Sequence, residues 1–197
     1  MQNALALLAA YLLGSIPFAM ISSKVFGLAD PRTYGSGNPG ATNVLRSGNK
    51  KAALMTLIGD ALKGAVAVIV ARQMGLSDTM IALVALAVFI GHLYPIFLKF
   101  KGGKGVATAA GVLLALDPVL GLAVAGTWLL IAYVSRYSSL AALIAAGAAP
   151  VIAVLMHGAT NQTIVVGILG MALIGKHWQN IQRLMAGQES KIGSKKK

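Results

Sequence analysis

Seven apolar runs, separated by polar breaks, take up most of this 197-residue chain. They cover residues 3–23, 52–71, 79–98, 106–116, 119–134, 139–157 and 162–175. A run of about 20 apolar residues is long enough to cross the hydrocarbon of a bilayer as a helix. With 57% hydrophobic and only 11% charged residues, the composition is far from that of a soluble domain. The first run has no basic segment before it and is long for a signal sequence, so it reads as a span. The runs at 106–116 and 162–175 are short; they read as half-spans, tilted helices or helices that begin outside the hydrocarbon. Residues 139–157 are rich in Ala and Gly, which lets helices approach closely. The expectation is an all-α, polytopic integral membrane protein with about seven transmembrane helices. It forms one membrane-embedded domain over residues 1–197, with a basic tail at 185–197.

Seventeen Lys and Arg against five acidic residues would suggest a nucleic-acid partner in a soluble protein. Here their placement gives another reason. Fifteen of the seventeen fall in the loop 24–51, the turn after the third run, the turn at Arg136 and the tail, all on one side of a seven-span chain. Arg72 alone is on the other side, and Lys63 lies within a run. By the positive-inside rule the N-terminus is outside and the tail is cytoplasmic. Nucleic acid is not an expected partner. The chain has no Cys, and its three His are scattered, so neither a disulfide nor a metal cluster is expected.

Topology does not account for three polar stretches. The turn Lys99-Phe100-Lys101-Gly102-Gly103-Lys104-Gly105 leads into an apolar helix. Glycines let successive backbone amides converge, and amides at a helix start, with a lysine beside them, form a site for an anion such as phosphate. The four-residue gap and the Ser or Thr of a nucleotide-binding P-loop are missing, so ATP hydrolysis is unsupported. The first loop holds Ser36-Gly37-Asn38-Pro39-Gly40-Ala41-Thr42-Asn43 with Arg46 nearby. A transmembrane run precedes it where a dinucleotide fingerprint would need a strand. Arg46 offers a planar fork suited to phosphate oxygens. After the last run, His177, Asn180 and Lys176 or Arg183 recur at three- and four-residue spacing, which places them on one helical face. Two further polar groups, Asp60 and Lys63, sit at i and i+3 inside the second run and are expected to pair. His92, near the end of the third run, either orients the glycine turn or meets a carbonyl freed by Pro95.

Together these stretches resemble the three signature motifs of the bacterial acyl-phosphate glycerol-3-phosphate acyltransferases, the PlsY family. The residues are Ser36 to Asn43, Gly91-His92-Leu93-Tyr94-Pro95 with Phe100 to Thr108, and His177-x-x-Asn180-Ile181-Gln182-Arg183-Leu184 with Glu189 trailing. The second helix, with Asp60-x-x-Lys63-Gly64, is also similar. The resemblance implies a multi-pass protein of the bacterial inner membrane whose site faces the cytoplasm. It implies acyl transfer from acyl phosphate to glycerol 3-phosphate, giving lysophosphatidate and inorganic phosphate, with no cofactor and no metal. Ser36, Lys104, His177 and Asn180 would be catalytic. Asn38, Thr42, Asn43, Arg46, Gly102, Gly103, Gly105, Val106, Ala107 and Arg183 would bind substrate. His177 would act either as a general base or as a positioner. Membrane lipid and the enzyme that makes acyl phosphate are the further partners implied. The His-x-x-x-x-Asp pair of soluble-type acyltransferases is absent. A small anion or lipid-phosphate transporter is the alternative, and it would need polar residues through the depth of the bundle.

Overall fold

The structure is a computed structural model and describes residues 1–193. Each of the seven apolar runs forms helix, and no strand occurs among the described residues. The first run is broken into α1 (Gln2–Gly14) and α2 (Phe18–Val25), bent by 41°. The break falls at Ser15-Ile16-Pro17. A proline has no N–H to give, so it leaves carbonyls without their helical partner. At the same break the Ile16 carbonyl, whose helical donor Met20 turns to Pro17 instead, accepts from Lys63 Nζ at 2.9 Å. Then follow α3 (Ala41–Leu45) in the first loop, α4 (Lys50–Gln73), α5 (Asp78–Leu93), α6 (Val106–Leu116), α7 (Pro118–Ser135), α8 (Ser138–His157), α9 (Asn161–Lys176) and α10 (Trp178–Met185).

Four helices are long and apolar enough to cross a membrane alone, and the bent α1–α2 pair makes a fifth. At 11 and 16 residues, α6 and α9 are shorter. At a rise of 1.5 Å per residue, α6 is about half as long as the hydrocarbon is thick. The third run also ends early as an α-helix. Pro95 stops α5, and the chain passes through a 3₁₀ turn at Ile96–Leu98 before the glycine turn.

Helix starts follow from local chemistry. Asn49 caps α4 by accepting from the Ala52 amide at 3.0 Å, and Asp117 caps α7 with Pro118 at its first position. Packing depends on small residues. Large apolar side chains such as Leu122, Leu129, Tyr133 and Leu155 point outward, while alanines such as Ala52, Ala67, Ala85, Ala142 and Ala153 fill the interior. Two helix pairs meet through reciprocal glycines. A Cβ at Gly111 of α6 would collide with the Ala61 carbonyl of α4, and one at Gly64 of α4 with the Thr108 carbonyl of α6. Between α1 and α5, Gly14 faces the Val88 carbonyl and Gly91 faces the Tyr11 carbonyl in the same way.

The polar segments sort to two ends. At one end Thr42 meets Ser138 at 3.1 Å, Arg46 donates to Ser190 at 2.5 Å, and the Ile192 amide donates to the Arg136 carbonyl at 2.7 Å. At the other end Asn161 reaches Thr79 at 2.8 Å, His157 pairs with Asp117 at 2.9 Å and Arg72 caps the Leu116 carbonyl. The first loop, the Arg136 turn and the tail therefore share an end, apart from Arg72, as the charge pattern expects. Lys195, Lys196 and Lys197, which count toward that pattern, lie outside the described residues.

Because α4 and α6 touch backbone to backbone, Gly111→Val should lower the stability of the purified protein by about 1–3 kcal/mol, the usual cost of overpacking. A thermal melt in detergent checks this, and an unchanged melting temperature would contradict the packing.

Candidate active site

The glycine turn ends at Gly105, whose φ of +87° caps the start of α6. A side chain there would be strained by the backbone angle and would also strike the Phe89 ring. The amides of Lys104, Gly105, Val106 and Ala107 have no intramolecular partner among the described residues, so they are available to an anion at the positive end of α6. Gly102 and Gly103 differ from expectation. Their amides donate to the Leu93 and His92 carbonyls at 3.3 and 3.2 Å, so they hold the turn in place and cannot also point at substrate.

Lys104 Nζ donates to Asn180 Oδ1, across 76 residues of sequence. Asn180 Nδ2 in turn donates to Glu189 Oε1 at 2.7 Å. A carboxylate only accepts and an ammonium only donates, so the two partners set which way the carboxamide faces. Glu189 also accepts from Ser139 Oγ and Arg183 Nε, both at 2.8 Å. Burial would raise the Glu189 carboxyl, but hydrogen bonds from Arg183, Ser139 and Asn180, with the Arg183 charge, hold it below its ordinary value. Burial, helped by the charges of Arg183 and Arg46, lowers Lys104 to about 8 against the pull of Glu189.

His177 links α9 to α10. Its carbonyl accepts from the Asn180 and Ile181 amides at 2.8 and 2.9 Å, which starts the helix that carries Asn180. The ring is buried, with Nδ1 2.8 Å from the Leu173 carbonyl. A carbonyl cannot donate, so Nδ1 carries the hydrogen and Nε2 the lone pair. Burial lowers the ring to about 4, against the Leu173 hydrogen bond, so the imidazole is neutral at pH 7.

In the first loop the structure separates residues that the sequence placed together. Asn43 is buried and fully engaged: Nδ2 donates to the Pro31 and Tyr34 carbonyls at 2.6 and 3.2 Å, and Oδ1 accepts from the Ser36 amide at 2.9 Å. It clasps the loop and has no capacity left for substrate. Thr42 is occupied by Ser138, away from the cavity lining. Arg46 leans on Asn43 Oδ1 at 3.4 Å and on Ser190.

A cavity of about 510 Å³ lies between the three segments. Ser36, Asn38, Gly102, Gly103, Lys104 and Arg183 of the expected set line it. His177, Asn180 and Arg46 are not part of that lining, and Gly105, Val106 and Ala107 follow directly on its Lys104, to which Asn180 is bonded. Arg32, Lys101, Lys176 and Gln179 also line it and were not singled out as substrate groups. The three cations among them satisfy the topology rule whether or not they face a cavity, so charge placement alone does not mark them. Glu189, named only as trailing the third motif, carries no spacing signal, because Gly187 breaks the helical register between it and Arg183. Arg32 is paired with Asp30 at 2.6 Å and Arg183 with Glu189 at 2.8 Å, which leaves Lys101, Lys104 and Lys176 as the excess positive charge around the space.

The glycerol-3-phosphate acyltransferase family model matches residues 4–187. The chain belongs to that family. A glycerol-3-phosphate acyltransferase of Dechloromonas aromatica is 84% identical over the full length of both chains. One of Burkholderia vietnamiensis is 62% identical over all of this chain and 94% of its own. Crystal structures of PlsY, an integral membrane glycerol 3-phosphate acyltransferase, superpose closely. The glycerol 3-phosphate form gives a TM-score of 0.92 at 38% identity, covering 98% of this chain and 96% of that one. The lysophosphatidic acid form gives 0.90 at 36% identity over the same shares. The resemblance read from the three motifs holds, and the acyltransferase reading displaces the transporter. Among the described residues, Asp60 and Lys63 pair with each other in the bundle, at 2.8 Å, and do not open a polar path.

For an acyltransferase that depends on the Lys104 ammonium, kcat/KM should fall as pH rises through about 8, where the amine loses its proton. A pH–rate profile of the purified enzyme checks this, and Lys104→Arg, which keeps its charge, should remove that alkaline limb.

Proposed function

We propose that this acyltransferase takes its acyl group from acyl phosphate and transfers it to a hydroxyl of glycerol 3-phosphate. The hydroxyl oxygen attacks the acyl carbonyl carbon, the bond from that carbon to the phosphate oxygen breaks, and the hydroxyl proton leaves with the phosphate. The products are lysophosphatidate and inorganic phosphate. The two crystal forms of PlsY support the acceptor and the product. The observation that carries the donor is the pairing of free α6 amides with Lys104 at the edge of a cavity lined by further cations. That arrangement suits a leaving phosphate as well as an acceptor phosphate.

Acyl phosphate is already activated, so no covalent enzyme intermediate is needed. Lys104 and the amides of Gly105, Val106 and Ala107 stabilise the charge that develops on the departing phosphate. Ser36, Asn38 and Arg183 hold and orient the substrates, and orientation supplies much of the rate. His177 is a positioner in this reading. Its carbonyl starts α10, and burial lowers the ring to about 4, which leaves Nε2 a weak proton acceptor. We place the whole of residues 1–197 in one domain of the bacterial inner membrane. Its site faces the cytoplasm, where the enzyme that makes acyl phosphate delivers the donor.

Purified protein given acyl phosphate and glycerol 3-phosphate should release inorganic phosphate and lysophosphatidate in equal amounts. Lys104→Met should lower turnover about 10²–10³-fold, the cost of one lost oxyanion donor. Wild-type turnover in that variant would end the assignment. His177→Gln, whose amide can still donate to Leu173, should keep turnover within about tenfold. A general base would cost about 10²–10⁴-fold on removal.

A further inference from the structure

Beneath the active site is a second, much smaller space of about 10 Å³, enough for a single water. Its walls include Ser15, Ile16, Asp60, Lys63, His92 and Pro95. Pro39, Gly102 and Gly103 line this space and the catalytic cavity alike. A wall one residue thick therefore forms the floor of the substrate cavity and the roof of a buried polar cluster.

The cluster is costly and the proposed chemistry does not use it. Asp60, Lys63 and His92 are all nearly inaccessible. Ionised groups taken out of water in a membrane bundle persist where they serve something. Asp60 Oδ1 lies 2.8 Å from Lys63 Nζ and 3.4 Å from His92 Nδ1, close ionic contacts that lack hydrogen-bond geometry. Lys63 is tied in turn to the Ile16 carbonyl at the break in the first span. The other edge of the imidazole points at the glycine turn, since a Cβ at Gly103 would collide with His92 Nε2. The backbone of the same residue holds the same glycine, with the His92 carbonyl accepting from the Gly103 amide at 3.2 Å. Next to it the Leu93 carbonyl accepts from Gly102 and from Lys176 Nζ, at 3.3 and 3.1 Å. Pro39 of the first loop closes the far side, its carbonyl 3.2 Å from where a Gly103 Cβ would be.

We propose that Asp60 and His92 are positioning residues: Asp60 holds the His92 ring, and the ring sets Gly103, so that the turn and the Ser36 loop present a phosphate site of fixed shape. The inference deepens the acyl-transfer reading and rests on it for the identity of the ligands. Lys63 keeps the Asp60 carboxylate compensated, and it couples the bent first span to the same point. The ring touches neither substrate. It acts through the one glycine that cannot carry a side chain while the ring is in place.

The test is a double-variant cycle on the full-length enzyme in detergent or nanodiscs, reading kcat, the KM for each substrate, the Kd for glycerol 3-phosphate by calorimetry, and the melting temperature. His92→Phe, which keeps the bulk and loses the tie to Asp60, should raise KM for at least one of the two phosphate substrates tenfold or more, with kcat within threefold. His92→Gln, which keeps a polar group facing Asp60, should bring that KM back to within threefold of wild type. Gly103→Ala should raise the same KM, and adding His92→Ala should offset part of the rise, because the added methyl then has room. If the KM effects of Gly103→Ala and His92→Ala multiply as independent factors, the proposal is overturned. It is also overturned if His92 variants lower the melting temperature and leave both KM values unchanged. Should His92→Phe fail to fold, the Gly103→Ala and His92→Ala cycle decides alone. A wild-type protein that binds glycerol 3-phosphate but releases no phosphate from acyl phosphate would remove the donor assignment. The cycle would then be read on Kd.

Discussion

The fold depends on backbone touching backbone. Apolar side chains inside a bilayer have no solvent to escape, so helices associate through close packing and not through hydrophobic gain. Here the closeness comes from paired glycines, Gly64 with Gly111 and Gly14 with Gly91, each facing a carbonyl of the opposite helix. The first pair decides the position of α6, which is too short to be placed by its own length in the membrane. Since α6 begins at the glycine turn, the contact that locks α4 to α6 also fixes the height and direction of the free amides. The second pair does the same for α5, whose end carries His92 and Leu93, the carbonyl supports of that turn. Two packing contacts with no chemistry of their own thus hold the chemical site from either side.

Electrostatics then divides the site between groups that keep their charge and one that does not. Lys104 stays cationic at neutral pH in spite of its burial, and Glu189 stays anionic within its hydrogen bonds. His177 is neutral in the same neighbourhood. The Lys104–Asn180–Glu189 series turns one carboxamide into a directional link: without a carboxylate behind it, the amide could rotate and present a donor to the ammonium. Low local dielectric strengthens such a series when every member is satisfied.

Much of this could be read from the residues, for a physical reason. Apolar runs announce helices because the membrane permits little else, and all seven became helical. Asp60 and Lys63 at i, i+3 announced their own ion pair. The break in the first span and the early end of α5 follow from Pro17 and Pro95, but how far a proline bends a chain depends on what receives the freed carbonyls. At the break in the first span the Ile16 carbonyl meets Lys63, 47 residues away. The site was legible as a set of segments and less so as individual roles. Asn43, Gly102 and Gly103 look the same in sequence whether they meet a ligand or brace a loop. Only their hydrogen-bond partners tell, and those partners are non-local. Glu189 is visible only through the family resemblance, since a glycine with φ of +66° comes before it and no helical period connects it to Arg183.

The clasp made by residues 187–192 has a consequence for how the protein comes into being. It joins Ser190 to Arg46, Glu189 to Ser139 and Asn180, and Ile192 to Arg136. These are the last of the site's groups to leave the ribosome, and they close onto loops synthesised long before. The membrane bundle can therefore insert and pack helix by helix while its reactive centre is still unfinished. Until that stretch is made, Asn180 has no carboxylate behind it to fix the side of its amide that Lys104 meets.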